Sequence, residues 1–217
     1  MQYFRSFNRQ RAAMVAELRS LGIRHEGVLD AIGRVERHLF LDQALHLRAY
    51  RNEALPIGNG QTISQPLTVA LQTALLDPRP GDRMLEIGLG SGYQAAVLCE
   101  MGVEVYSIEY HERLWQLAHQ RLSTLGYVLT SRVGDGSTGW PEFAPFDGVV
   151  VTAGATETPK MLMSQLILPS VKKQGGRLVV PIGDRTAQKM MRCLRKGLHE
   201  YQWEEGGAFR FVPFING

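Results

Sequence analysis

The chain has 217 residues, 44% hydrophobic, 21% charged and 8% aromatic, with a net charge of +3. These values sit near the average for a globular domain and exclude disordered, collagenous and coiled-coil chains. No apolar run reaches the ~18–20 residues of a membrane span, and the slight basic excess forms no stripe of the kind nucleic-acid binders carry. Arg5, Arg9 and Arg11 interrupt the first stretch with no apolar segment behind them, so no secretory leader is expected. Cys99 and Cys193 lack the number and spacing of a disulfide framework or a metal site. Both are expected to be reduced thiols in a cytoplasmic protein.

In chain order, the pattern predicts one domain over 1–217 with three textures. Residues 1–80 read as helical, because apolar positions in 11–21 and 28–47 recur at threes and fours, with Gly22 as a C-cap. A glycine-rich break over 55–66 precedes a further helical run over 66–76. Residues 81–183 alternate: strand 83–87, helix 92–101, strand 103–108, helix 111–125, strand 128–133, strand 146–152, helix 159–166, strand 177–182. Such alternation predicts an α/β fold with a doubly wound, mostly parallel sheet. The stretch 184–217 reads as short strands with glycine turns, added antiparallel at a sheet edge.

In a doubly wound sheet, ligands bind at the carboxyl ends of the strands, beside the point where strand order reverses. The first strand runs into Glu86-Ile-Gly88-Leu-Gly90-Ser91-Gly92-Tyr93. Its glycines permit a sharp turn and close approach to a ligand ahead of a helix N-terminus. The spacing is GxGxG rather than GxGxxG, and Tyr93 is too bulky for the final small position of a dinucleotide site. The second strand ends at Glu109, 21 residues beyond Gly88, where an acid accepts from ribose hydroxyls. After the third strand comes Gly134-Asp135-Gly136, which on its own is an ordinary Asp-Gly turn and in register with the other two is an adenine site. A carboxylate at Glu86 suits a cationic ligand better than a pyrophosphate, so the pattern points to S-adenosylmethionine. The segment Val151-Thr152-Ala153-Gly154 carries no base-stacking motif, which argues against a flipped nucleobase as acceptor.

Several segments together resemble the signatures of the protein-L-isoaspartate O-methyltransferase family. They are Leu55-Pro56-Ile57-Gly58-Asn59-Gly60-Gln61-Thr62-Ile63-Ser64-Gln65-Pro66, Leu85-Glu86-Ile87-Gly88 with Gly90-Ser91-Gly92-Tyr93-Gln94, Gly134-Asp135-Gly136, Ala144-Pro145-Phe146-Asp147 and Arg210-Phe211-Val212-Pro213. They run in family order from about residue 28 to 213, and Gln-Thr-Ile-Ser-Gln-Pro is the most specific. The resemblance implies a Rossmann-like, class I S-adenosylmethionine-dependent methyltransferase that repairs damaged proteins by methylating the α-carboxylate of L-isoaspartyl residues. It implies Ser64 as the active-site serine. Gln61, Thr62 and Ile63 would border the cofactor, and Glu86, Gly88, Gly90, Ser91 and Gly92 its methionine portion. Glu109 would take the ribose, and Asp135 with Gly136 the adenine.

From spacing alone Ser64, just before Gln65-Pro66, reads as a helix cap. Both roles are compatible, since a capping serine faces an anion site. No GxSxG elbow surrounds it, so it is not expected to be a nucleophile. The histidines at 25, 38, 46, 111, 119 and 199 form no ligand spacing, and no metal is expected; they read as surface or helix residues. The chain departs from the family pattern at Glu36, Arg51, Leu89 and Thr156. Arg51 keeps open a methyltransferase acting on the aspartate of a dedicated peptide. A dinucleotide oxidoreductase is disfavoured by Tyr93 and Glu86, and a non-catalytic binding module by the intact glycine loop. The expected partners are isoaspartyl proteins and peptides, with no nucleic acid and no membrane, and the expected state is a monomer.

Overall fold

A computed structural model describes residues 2–184 and 187–209, with side chains over 6–184 and 187–206. Helix α1 (Gln2–Ser20) ends where Gly22 turns left-handed, with φ +103°. The Ile23 and Gly22 amides reach back to the Leu18 and Arg19 carbonyls, the paired bonds of a Schellman cap. Helix α2 (Glu26–Arg34) is capped by His25, whose ring nitrogen accepts from the Val28 amide.

The helix expected over 28–47 instead stops at Val35, which is extended, and two 3₁₀ turns follow at Arg37–Phe40 and Gln43–Arg48. The reason lies in the next turn. Arg37 is fully buried, and it donates from Nε to the Ala49 carbonyl at 2.7 Å and from Nη2 to the Glu53 carbonyl at 3.4 Å. A buried guanidinium must be hydrogen-bonded, and those carbonyls lie within reach only if the chain folds back. Burial pulls its pKa down to about 10, so it remains a cation at pH 7.

The glycine-rich break is a β-hairpin, β1 (Leu55–Gly58) against β2 (Gln61–Ile63). Its turn is Asn59-Gly60, with φ values of +50° and +68°, and Asn-Gly is the pair that a two-residue hairpin favours. Helix α3 (Pro66–Leu76) follows directly.

The large sheet comprises β3 (Arg83–Ile87), β4 (Glu104–Glu109), β5 (Thr130–Val133), β6 (Gly148–Val151), β7 (Arg177–Gly183), β8 (Gln188–Arg195) and β9 (Tyr201–Phe209). The order is β5-β4-β3-β6-β7-β8-β9; the first five are parallel, and β8 and β9 are antiparallel additions. Parallel neighbours need crossovers, supplied by α4 (Tyr93–Glu100), α5 (Glu112–Thr124) and α6 (Lys160–Ser164), with a 3₁₀ turn at Pro141–Phe143 on the route into β6. Side chains alternate between the faces. Met84, Val105, Val150 and Val179 pack toward the N-terminal helices, while Leu85, Tyr106, Val149 and Leu178 pack against Trp140, Phe146 and Leu162. Asp147 ties strand starts together: it accepts from the Arg83 amide at 2.9 Å and from Lys173 Nζ at 2.6 Å. The tail strands, eight and nine residues long, exceed the short strands expected, and Arg210–Pro213 lie outside the described residues. Among the described residues no helix is long and apolar enough to cross a membrane.

Candidate active site

Strand order reverses between β3 and β6, and a cavity opens beside that point at the carboxyl ends of β3 and β4. Backbone bonds hold three strand ends side by side: the Gly88 amide donates to the Ile108 carbonyl at 2.8 Å, and the Gly134 amide to the Glu109 carbonyl at 2.9 Å. Of the residues expected from sequence, Gln61, Thr62, Ile63, Ser64, Glu86, Gly88, Gly90, Ser91, Glu109 and Gly136 line this cavity. Gly92 and Asp135 do not. Asp135 Oδ1 accepts from the Ser137 amide at 2.8 Å, an Asx turn that shapes the loop presenting Gly136.

Gly88 shows why the turn requires glycine. Its φ is +97°, and a Cβ there would run into the Thr152 hydroxyl. That hydroxyl lies 2.7 Å from the Gly88 carbonyl and 3.0 Å from the Ile87 carbonyl, so it pins the turn to the end of β6. Glu109 fixes the turn from the other side. One carboxylate oxygen accepts from the Gly90 amide at 2.8 Å and the other from the His111 amide at 2.9 Å. An ionised carboxylate has about four acceptor positions, so two remain for hydroxyl donors of a ligand.

Glu86 is fully buried and its Oε2 accepts from the Ser107 hydroxyl at 2.6 Å. Burial pushes its carboxyl up to about 8; the Ser107 hydroxyl opposes that rise and the charge of Glu109 reinforces it. An added positive charge in the cavity would favour its ionised form.

Ser64 stands at the junction of the β2 hairpin strand and α3. It is not the helix cap. The N-cap position is Gln65, which makes no side-chain capping bond, and the Leu67 amide is taken by Asn52 Oδ1 at 3.0 Å. With capping supplied from 15 residues upstream, Ser64 is left on the cavity wall.

Sequence reasoning passed over Gln72, Gln94, His111 and Thr152, which also line the cavity. A glutamine at position 72, on a helix otherwise almost entirely apolar, was the available signal. His111, expected on the surface or a helix, instead borders the cavity. His38 is buried, stacked on Phe7 at 4.1 Å with its Nδ1 2.7 Å from the Tyr50 hydroxyl. Among the described residues no group of three or more His, Cys, Asp or Glu is placed to hold a metal ion. Burial pushes both cysteine thiols up to about 12.

Comparison with known proteins gives the family and the fold. A profile of the family described as Protein-L-isoaspartate(D-aspartate) O-methyltransferase (PCMT) matches residues 9–217. A protein-L-isoaspartate O-methyltransferase of Salinibacter ruber is 56% identical over 216 residues, covering 98% of this chain and 94% of its own. The chain belongs to the protein-L-isoaspartate O-methyltransferase family. Another relative, from Chlorobaculum tepidum, is 50% identical over 206 residues, with 94% and 93% of the two chains covered. A solved protein-L-isoaspartate O-methyltransferase superposes with a TM-score of 0.82 at 29% identity, over 95% of this chain and 66% of that one. A candidate member from Plasmodium falciparum, crystallised with S-adenosyl-L-homocysteine, superposes with a TM-score of 0.79 at 21% identity, over 94% and 98% of the two chains. At that identity the likeness concerns the fold, a class I methyltransferase sheet. The segments around Ser64, Glu86 and Gly136, which carried the resemblance in sequence, line one cavity.

Proposed function

We propose that this chain transfers the methyl group of S-adenosylmethionine to the free α-carboxylate of L-isoaspartyl residues in damaged proteins and peptides. One observation carries the reading: the Gln61–Ser64 segment and the Glu86–Ser91 turn, far apart in sequence, form opposite parts of one cavity at the switch point of the sheet. The residues present fit the co-substrate. Buried acceptor oxygens without partners border the cavity, and Glu109 keeps acceptor positions open for hydroxyl donors beyond the Gly90 and His111 amides. When bound, the co-substrate supplies an electrophilic methyl group on a sulfonium.

The chain's own task is placement. A carboxylate is ionised at pH 7 and is already nucleophilic, so no general base is needed. Ser64 donates one hydrogen bond to the acceptor carboxylate, part of an in-line placement whose total is worth ~7–11 kcal/mol of barrier. Gln61, Thr62 and Ile63 close the cavity over the reacting groups. Gly88, Gly90, Ser91 and Gly92 shape the turn around the methionyl part, and Glu86 offers it negative charge. Glu109 receives the ribose hydroxyls. Gly136 presents its backbone to the adenine, with Asp135 holding that loop. The three stretches 1–80, 81–183 and 184–217 work as one unit, in a cytoplasmic monomer that takes proteins and peptides rather than nucleic acids or membranes.

The test is methyl transfer from labelled S-adenosylmethionine to paired peptides differing only in aspartyl or isoaspartyl linkage. Base-labile methyl ester on the isoaspartyl peptide alone is expected. Transfer to the ordinary aspartyl peptide would replace repair with modification of a dedicated peptide, and no transfer to either would overturn the reading.

A further inference from the structure

The acceptor proposed above is a carboxylate, and the cavity it must enter is poor in positive charge. Among the described residues its wall carries two acids, Glu86 and Glu109, and no lysine or arginine. An anionic peptide approaching such a cavity gains no attraction from side chains inside it, so the attraction has to come from the surface around the mouth.

The segment that leads into the hairpin supplies a cation there. Residues 51–54 run directly into β1, where Leu55 is the register partner of Ile63, the residue before Ser64. Asn52 Oδ1 accepts from the Leu67 amide at 3.0 Å, which fastens the same segment to the first turn of α3, just beyond Ser64. Ile57 of β1 in turn lies over Gly90, 3.5 Å from where a Cβ would stand. Arg51 is therefore held on the Ser64 side of the cavity. The other arginines of this stretch are committed. Arg37 is buried against the Ala49 and Glu53 carbonyls, and Arg48 grips the two carboxylate oxygens of Glu53 at 3.0 and 2.7 Å. Arg51 is exposed, and its side chain has no hydrogen bond or ion pair among the described residues; it lends Glu53 charge but no bond.

We propose that Arg51 sets the substrate preference of this site, favouring isoaspartyl segments that carry an acidic side chain beside the damaged residue. This rests on the function proposed above and names the class of peptide it takes. A guanidinium is charged at every working pH and offers a carboxylate two parallel N–H donors. The flanking carboxylate stays outside the cavity and pairs with Arg51 while Ser64 takes the α-carboxylate within. Such a pair is open to solvent, so it acts on peptide binding at the few-fold level of surface ion pairs and leaves the chemical step alone.

The experiment compares methyl transfer by the full chain to isoaspartyl peptides identical except for Glu, Gln or Lys on either side of the isoaspartate. The wild-type protein should show a KM about two- to fivefold lower for a Glu peptide than for its Gln counterpart, with equal kcat. The difference should fade toward about 1 M salt, where exposed charges are screened. Arg51→Gln should erase it, Arg51→Lys should keep most of it, and Arg51→Glu should turn the preference to the Lys peptide, each with wild-type affinity for S-adenosyl-L-homocysteine. Equal wild-type KM for the Glu and Gln peptides would overturn the proposal without any variant having to fold. A preference that survives in Arg51→Gln would overturn it as well. If the wild-type protein methylates none of the isoaspartyl peptides, the functional reading itself falls, an outcome distinct from the other two.

Discussion

Replacing Glu86 with glutamine isolates what a buried acid at the turn costs this fold. The carboxyl titrates near 4.5 when exposed and at about 8 in its buried position beside Ser107 and Glu109. Below the exposed value it is protonated in both states and folding is unaffected. As pH rises from there toward about 8, the unfolded chain releases the proton while the folded chain keeps it, so stability falls by about 1.4 kcal/mol per pH unit. At pH 7 the loss is on the order of 3 kcal/mol. Glu86→Gln keeps an oxygen for the Ser107 hydroxyl, 2.6 Å away, and carries no proton to lose. Urea unfolding of both proteins without ligand, at about pH 5 and about pH 7, measures the difference. The variant's advantage should grow by roughly 3 kcal/mol between those values, while its affinity for S-adenosyl-L-homocysteine drops. An advantage that does not change with pH would mean that Glu86 is already ionised in the folded protein.

The other expectations concern the site residue by residue. Ser64→Ala should lower kcat at least about tenfold, the loss of one hydrogen bond to a charged group, with unchanged affinity for S-adenosyl-L-homocysteine; a matching loss of affinity would move Ser64 from the acceptor carboxylate to the co-substrate. Glu109→Gln keeps one acceptor for the Gly90 and His111 amides and turns an NH₂ toward the other, so binding should weaken by at least about tenfold, and titration showing wild-type affinity would remove Glu109 from the ribose position. Gly88→Ala forces a side chain into left-handed backbone against Thr152. It should cost about 1–3 kcal/mol, visible as a lowered Tm, and an unchanged Tm would mean that the turn has room to shift.

The parallel core was legible because its cues are local. Glycines at 88, 90 and 92, the buried run Gly148–Val151 and the proline at the start of α3 each announce an element through backbone freedom or apolar pattern. Asn59-Gly60 announced a hairpin equally plainly, but the surrounding glycines disguised it as a break. The end of α2 had no local cue. Residues 28–47 keep helical spacing, and only Arg37, reaching carbonyls 12 and 16 residues ahead, requires the chain to turn back.

The sequence by itself singled out residues that the fold brings to one cavity: Ser64 after its hairpin, Glu86 before the glycines and Glu109 at the next strand end. Periodicity and glycine placement are properties of neighbouring residues, and both survive in a one-dimensional reading. Only the tertiary structure decided that an Asn52 oxygen caps α3 in place of Ser64, that Asp135 accepts from the Ser137 amide within its own loop, and that Gln72 and Gln94 join Glu86 on the cavity wall. Each of those outcomes depends on which partner satisfies a polar atom, and the partner is chosen by packing between segments that the sequence holds apart.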